Sequence, residues 1–463
     1  MVTRTAGGRL GAASALGLLV AWAIVAVTGT ARAQQFAERD DFSFADDGQF
    51  APQDEFQQGE VPDYWGADDG ACGCECGDTC CDSHMPDLDC PCGCRANETS
   101  WWFASEYLIW KTDSTHLPAL VTDSPIGTEP TLDSPATQVL TATKVADSWR
   151  SGYRLEMGIW FDDCNTLALV GDYFNIGNDD YDYFYPGDSG RNTGRPFFNT
   201  QTGVQDVQRV AGTYDEPLMQ PDTVRDGTIA VTADDEFQGT GLTIEQCVYS
   251  VGDRFGFGPG TQVILLGGYR FYGYDSRLAI TDTTSIISGD GAGGFDTHRD
   301  VFTSDNEFHG GEIGVRARFT QQACWFDGMF KIALGGHRRT VTINGATVNI
   351  PAGGPADFSE GGLLTSSETN IGEYSNSRAR LIPEFRLGIG VFLAPQWTFR
   401  AGCSAIVWSG VVRAADGLPP NLAVDERNIP PGAGTGGVSP VFSGLGGSEL
   451  VATGLDLGFE YNY

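Results

Sequence analysis

Long apolar runs are largely missing from this chain. Leu16–Val27 falls short of the ~18 uninterrupted apolar residues that a membrane-crossing helix needs, and no later stretch reaches that length, which argues against a helical membrane protein. Basic residues are also scarce: 28 Lys and Arg stand against 61 Asp and Glu, a formal net charge of −33. Gripping a phosphate backbone takes clustered Lys and Arg, so no nucleic-acid partner is expected. Histidine is limited to five residues, His84, His116, His298, His309 and His337. None lies in a His-Glu-x-x-His pattern, and no Gly-x-Ser-x-Gly elbow is present, so the expectation is no enzyme, no catalytic residues and no cofactor. Cysteine thins out after the first hundred residues, since eight of the 12 fall between Cys72 and Cys94.

What is present begins with an export signal. Arg4 and Arg9 precede the Leu16–Val27 stretch, and Ala31-Arg32-Ala33 follows it. That charged, apolar, small-residue order is a cleavable signal peptide over residues 1–33, with cleavage near Ala33. Residues 34–70 carry Glu38, Asp40, Asp41, Asp46, Asp47, Asp54, Glu55, Glu60, Asp63, Asp68 and Asp69 among Gln, Gly and Pro. Like charges with few packable side chains read as a disordered acidic linker. Residues 71–95 hold Cys72, Cys74, Cys76, Cys80, Cys81, Cys90, Cys92 and Cys94. In an oxidising periplasm these are disulfide candidates. Metal binding with His84, or cross-links to other envelope proteins, are the alternatives. The halves of the cluster lack regular Cys-x2-Cys spacing, so no metal site is assigned.

From Ser100 to Tyr463 the pattern is alternation broken by Gly, Asp, Asn and Pro. In the last segment Val451, Thr453, Leu455, Leu457, Phe459, Tyr461 and Tyr463 share one face, while Ala452, Gly454, Asp456, Gly458, Glu460 and Asn462 share the other. The same period appears in Tyr153–Phe161, Ile313–Phe319 and Phe385–Leu393, where charges and glycines share one face. Lipid tolerates no charge on an outer face, whereas an aqueous interior does, so the alternation indicates a closed antiparallel transmembrane β-barrel of about 12 strands, with 10 or 14 as the alternatives. The mean hydropathy of −0.18 does not oppose this, because alternation hides the lipid face in an average. Asp162–Asn165 and Ala394–Gln396 read as short turns, whereas Asn178–Gln238, Ser285–Asn306, Pro351–Ser377 and Arg413–Gly447 read as long outer loops. Acidic runs at Asp179, Asp180 and Asp182, and at Asp234, Asp235 and Glu236, lack calcium-loop spacing and read as solvated charge.

Several segments resemble the outer-membrane β-barrel porin family known chiefly from planctomycete bacteria. They are Trp102–Trp110 with Leu117–Thr122, Gly158–Cys164, Phe308–Phe319, Lys331–Gly335, Val341–Gly345, Trp408–Arg413 and Gly454–Glu460. The resemblance covers nearly everything after Ser100. It implies an outer-membrane location and a barrel fold, while the last strand, running to the aromatic Tyr463, has the form that the barrel assembly machinery reads, so lipid and that machinery are the expected partners. It implies no substrate.

Arg154, Glu156, Glu312, Arg316, Arg318, Glu384, Arg386 and Arg400 all fall on the charge-bearing face. They are the candidate pore-lining residues, because rings of opposed charge set the ion preference of a pore. The expected function is porin-like diffusion of small hydrophilic solutes. The alternative pairs the same side chains across a narrow, plugged lumen, leaving a structural or adhesive envelope protein cross-linked through its cysteine-rich segment.

Overall fold

The computed structural model describes residues 100–463 except 163–164, 188–189, 215–221, 253–258, 426 and 428–437. The signal peptide, acidic linker and cysteine cluster lie outside the described residues. Ten strands pair side by side, each antiparallel to the next: β1 (Trp101–Thr112), β2 (Arg150–Trp160), β3 (Leu167–Ile176), β4 (Thr223–Gly252), β5 (Gly260–Ser288), β6 (Phe295–Gln321), β7 (Cys324–Ile350), β8 (Gly372–Ala394), β9 (Trp397–Val411) and β10 (Ser448–Asn462). β1 pairs with β10 from Trp102↔Asn462 to Thr112↔Ala452. The ring therefore closes, and no ring strand is left without a neighbour on either side. Ten strands is the lower alternative to the estimate of twelve.

Period-2 side-chain patterning explains the register. A one-residue slip would move every side chain to the opposite face. On the outer face the apolar residues of the alternating segments are left in the open: Ile313 is 71% exposed, Leu334 63% and Leu387 62%. Phe319, Phe326, Phe385, Trp397, Leu455 and Phe459 continue this belt around the ring. Water does not tolerate an apolar surface this continuous without something covering it.

Turns at one end are short, as expected. Asp162 caps the β2–β3 turn by accepting hydrogen bonds from the backbone N–H groups of Thr166 and Leu167 at 2.9 and 2.7 Å. Asn165 takes the positive φ, 52°, that Asn tolerates better than most residues.

At the other end the expectation of long irregular loops is overturned in two of four places, whereas Pro351–Ser377 keeps a long connection up to Ile371 that holds only the short strand Asp357–Glu360. β4 already begins at Thr223, β5 runs on to Ser288, β6 restarts at Phe295, and β8 begins at Gly372. β4 to β8 are 23 to 30 residues long, against 10 to 15 for the other five. The physical reason is a change of environment along one strand. Beyond the belt the outward side chains become polar, which in sequence looks like a loop. Short strands at Tyr181–Tyr185, Arg191–Asn199 and Val204–Tyr214 extend the sheet above the shorter side of the ring, and Thr122–Pro125 pairs onto them. They enclose a core that includes Leu120, Val121, Phe197, Val210, Ile229, Val231, Leu278, Ile280, Phe302, Val341 and Ile343, all buried.

Candidate functional site

The interior of the ring is where the sequence places chemistry. All eight candidate residues point inward. Starting from the short-turn end, the first layer is aromatic: Trp102 packs beside Trp160 at 5.1 Å between centroids, and the Arg318 guanidinium lies 4.3 Å from the Trp325 ring. Gly158 and Gly390 lie directly beneath the Trp102 and Trp325 indoles, where any Cβ would collide with ring atoms. Those inward glycines are spaces for a tryptophan, not weak points in a strand.

Charge fills the next layer. Glu106 receives Arg154 at 2.9 Å, Arg386 at 3.0 Å and Arg400 at 3.2 Å. Glu156 pairs with Arg386 and Arg400, each at 3.3 Å, and Glu460 with Arg400 at 3.0 Å. Asp456 takes Arg154 at 3.2 Å, the Trp110 indole N–H at 2.7 Å and the Ser404 hydroxyl. Across the lumen, Arg270 bridges Asp172 at 2.6 Å and Glu312 at 2.8 Å, and Lys331 stands 3.6 Å from Glu312 and 3.5 Å from Glu384. Arg316 meets Glu245 at 3.2 Å, and Arg318 meets Asp327 at 3.1 Å. Arg154, Glu156, Glu312, Arg316, Glu384 and Arg400 are buried. Removing charges from water is repaid only when partners surround them, and here each carboxylate has one.

Directly above, the lumen is apolar. Trp110, Phe174, Phe237, Tyr272, Phe308 and Trp408 are fully buried, with neighbouring centroids 5.2 to 6.4 Å apart. Leu108, Ile176, Ala333, Ile382, Ile406 and Leu450 complete the same cluster. Nine of the ten strands contribute to it. The tenth, β2, contributes Arg154, whose guanidinium lies 5.3 Å from the Trp110 ring and 5.9 Å from Phe174. Tyr272 ties the two layers together by donating its hydroxyl hydrogen to Glu384 at 2.8 Å.

Sequence reading missed half of the charged layer: Glu106, Asp172, Glu245, Arg270, Asp327, Lys331, Asp456 and Glu460. Asp456 and Glu460 were legible, since they stand on the polar face of the last strand. Asp172 and Arg270 were not, because each sits between aromatic or apolar neighbours on a strand without clean alternation. Of the acidic runs, Asp235 turns inward to Arg150 at 2.9 Å rather than out to solvent. His298 pairs with Asp282 at 2.9 Å, and His309 meets the Tyr269 hydroxyl at 2.6 Å. Tyr463 lies outside the ring, its side chain stacked on Trp101 at 5.4 Å.

An antiparallel ring with an apolar outer belt and a charged inner wall is the architecture from which membrane-spanning β-barrels are made. The chain belongs to the family described as "Putative beta barrel porin-7 (BBP7)", whose model matches residues 102–463. Among solved structures, the outer membrane protease OmpT from Escherichia coli is similar, with 9% identity and a TM-score of 0.34 over 79% of this chain and 96% of that one. A Pseudomonas aeruginosa FadL homologue is similar with 6% identity and a TM-score of 0.21, over 79% and 90%. No curated protein matches the chain.

Proposed function

We propose that the protein is an outer-membrane β-barrel that is closed to solutes in this conformation and serves at the cell surface as a structural or adhesive anchor for the folded cap above its long strands. The observation that carries this reading is the buried aromatic layer from Trp110 to Trp408, to which strands from all round the ring contribute. A diffusion pore needs a continuous aqueous path, and a lumen of about ten strands is narrow enough for side chains to fill. The exposed belt of Ile313, Leu334 and Leu387 supports a lipid setting, because each residue lies where charge is excluded and apolar surface is left open. The acidic cap, with polar residues on its outer face, suits the aqueous side.

The second reading, porin-like diffusion of small hydrophilic solutes, is favoured by the family and by the charged inner wall. It requires the aromatic layer to move aside. Liposome swelling separates the two. Vesicles carrying the full-length protein are expected to stay impermeable to sugars of any size. Swelling with small sugars that stops above a size limit would make the porin reading the better one.

A further inference from the structure

Between β8 and β9 the backbone ladder stops early. Its last pair toward the long end is Glu384↔Ile406, beside Pro383, which has no N–H to donate. Beyond it, Gly372–Pro383 pairs only with β7 and Val407–Val411 only with β10, so a seam opens in the wall. Side chains, not backbone, bridge that seam. Arg339 donates to the carbonyl oxygens of Gly410 at 3.1 Å and Gly446 at 2.5 Å, and to Asn376 Oδ1 at 2.9 Å. All three acceptors are neutral. The Arg380 guanidinium lies against Gly410, which has φ 76° and space only for hydrogen where a Cβ would meet that guanidinium.

The cluster carries more positive charge than the one acid facing it offsets. Arg339 is buried, Arg378 is exposed at the mouth of the seam, and among the described residues none of the three arginines forms an ion pair. The acid that faces Arg339, Asp416, already accepts the backbone N–H of Arg413 at 2.9 Å. A buried cation ordinarily has a counter-charge. Beside it stands a second anomaly. His337 is 0% exposed, packs 4.8 Å from the Trp408 ring, and has no hydrogen-bond partner on either ring nitrogen among the described residues. Among the described residues the Trp408 indole N–H and Arg380 Nε–H, both buried, have no hydrogen-bond partner either. Buried donors are rarely left unpaired, and these converge on one seam.

We propose that this seam is a binding site for a phosphate group, with Arg380, His337 and Trp408 donating to its oxygens and Arg339 and Arg378 supplying the opposing charge. Guanidinium groups match phosphate geometry, and a dianion with several acceptor oxygens suits several converging donors better than a monoanion. The seam starts beside Leu334 and Leu381 and runs past the apolar belt to Arg338, which is exposed on the outer face, so the phosphate comes either from a lipid headgroup in the outer leaflet or from solution. The site is independent of whether the ring conducts.

Calorimetry of the full-length protein in uncharged detergent, titrated first with inorganic phosphate and then with micelles containing a phosphorylated lipid, tests this. One phosphate per chain is expected, and Arg380→Gln is expected to weaken binding about tenfold, the loss of one charge-assisted hydrogen bond. Arg277→Gln, on the outer face elsewhere, should leave binding unchanged. Heat-modifiable gel mobility shows whether each variant is folded. If Arg380→Gln fails to fold, Arg378→Gln takes its place, with an expected weakening of about threefold. Binding to inorganic phosphate alone points to a soluble source, and binding only to the lipid points to the headgroup; both uphold the site. No binding of either by folded protein, or equal binding by the wild type and the Arg380 and Arg378 variants, would overturn it.

Discussion

Along β4 the inward side chains change from Glu245 and Thr243 to Phe237, Ala233, Val231 and Ile229, while the outward ones change from Ile244 and Leu242 to Glu236, Asp234 and Thr232. β6 makes the same exchange, with Arg316 and Glu312 inside and Val315 and Ile313 outside, then Phe308 and Phe302 inside and Glu307, Asp305 and Thr303 outside. Each strand is inside-out with respect to itself. The lower half has the polarity of a wall between lipid and a charged interior. The upper half has that of an ordinary water-soluble sheet over a mostly apolar core, into which a few paired charges such as Asp235 with Arg150 and Asp282 with Arg195 are set. One backbone ladder runs through both, so what differs is the solvent on each face, not the secondary structure.

The largest effect that would break this comparison comes from the lower interior. Arg400 compensates Glu106, Glu156 and Glu460. Arg400→Met, of similar reach but uncharged, is expected to cost about 3–5 kcal/mol in denaturant unfolding of the micelle-bound protein, because it strips the buried Glu460 of its ion pair and leaves Glu106 and Glu156 each with one cation fewer. Next comes the outer face. Ile313→Arg, in the belt, is expected to cost about 2–4 kcal/mol in lipid vesicles, the depth-dependent penalty for a charge in hydrocarbon. Thr303→Arg, outward on the same strand ten positions away, should stay within about 0.5 kcal/mol, as exposed substitutions do. Equal costs for the two would erase the boundary between the halves.

A smaller effect should appear in the cap, clear of the belt. Arg195 pairs with Asp282 at 2.7 Å and Asp300 at 2.5 Å, and Asp282 also receives His298. Burial works against the charged form of His298, yet its hydrogen bond to Asp282 and the charges of Asp282 and Asp300 outweigh burial and the repulsion of Arg195, so its pKa is raised from 6.5. Burial likewise works against the Asp282 carboxylate, but His298 and Arg195 hold its pKa below 3.8. A raised histidine stabilises below its unfolded pKa and loses that contribution as pH rises through the folded value. A depressed carboxylate stabilises above its unfolded pKa and loses that as pH falls through the folded one. The cap should therefore resist proteolysis best between about pH 4 and 6.5 and open more readily above that window. In His298→Gln the alkaline part of this dependence should vanish. A variant with an unchanged profile would remove the pair from the account.

The lower half was legible in the sequence because its rule is simple. In Tyr153–Phe161, Ile313–Phe319, Phe385–Leu393 and Leu450–Tyr463 nearly every second residue is apolar and the intervening charges have no other home, so face, closure and the inward set Arg154, Glu156, Arg316 and Arg386 followed directly. The upper half was not legible. Thr223–Gln238 also alternates, with Ile229, Val231 and Phe237 on one face, but its many acids and threonines gave the composition of a loop. The sealing of the lumen was hidden for a different reason: Trp110, Phe237 and Trp408 come from strands far apart in sequence, and only the register of the closed ring brings them onto one level. Counting strands suffered from the same cause, since segments read as loops contributed no length to their neighbours.

Single-channel recording of the full-length protein in a planar bilayer tests the central claim, that the paired charges and the aromatic layer seal the lumen, most directly. The wild type is expected to pass no current at moderate voltage, while Phe237→Gly combined with Trp408→Gly, which removes two fully buried rings from the layer, should give steps whose ion preference shifts when Arg386→Glu is added. Stepwise openings in the unmodified protein, with a preference already set by Arg316 and Arg386, would contradict the claim and return the charged wall to the role of a pore lining.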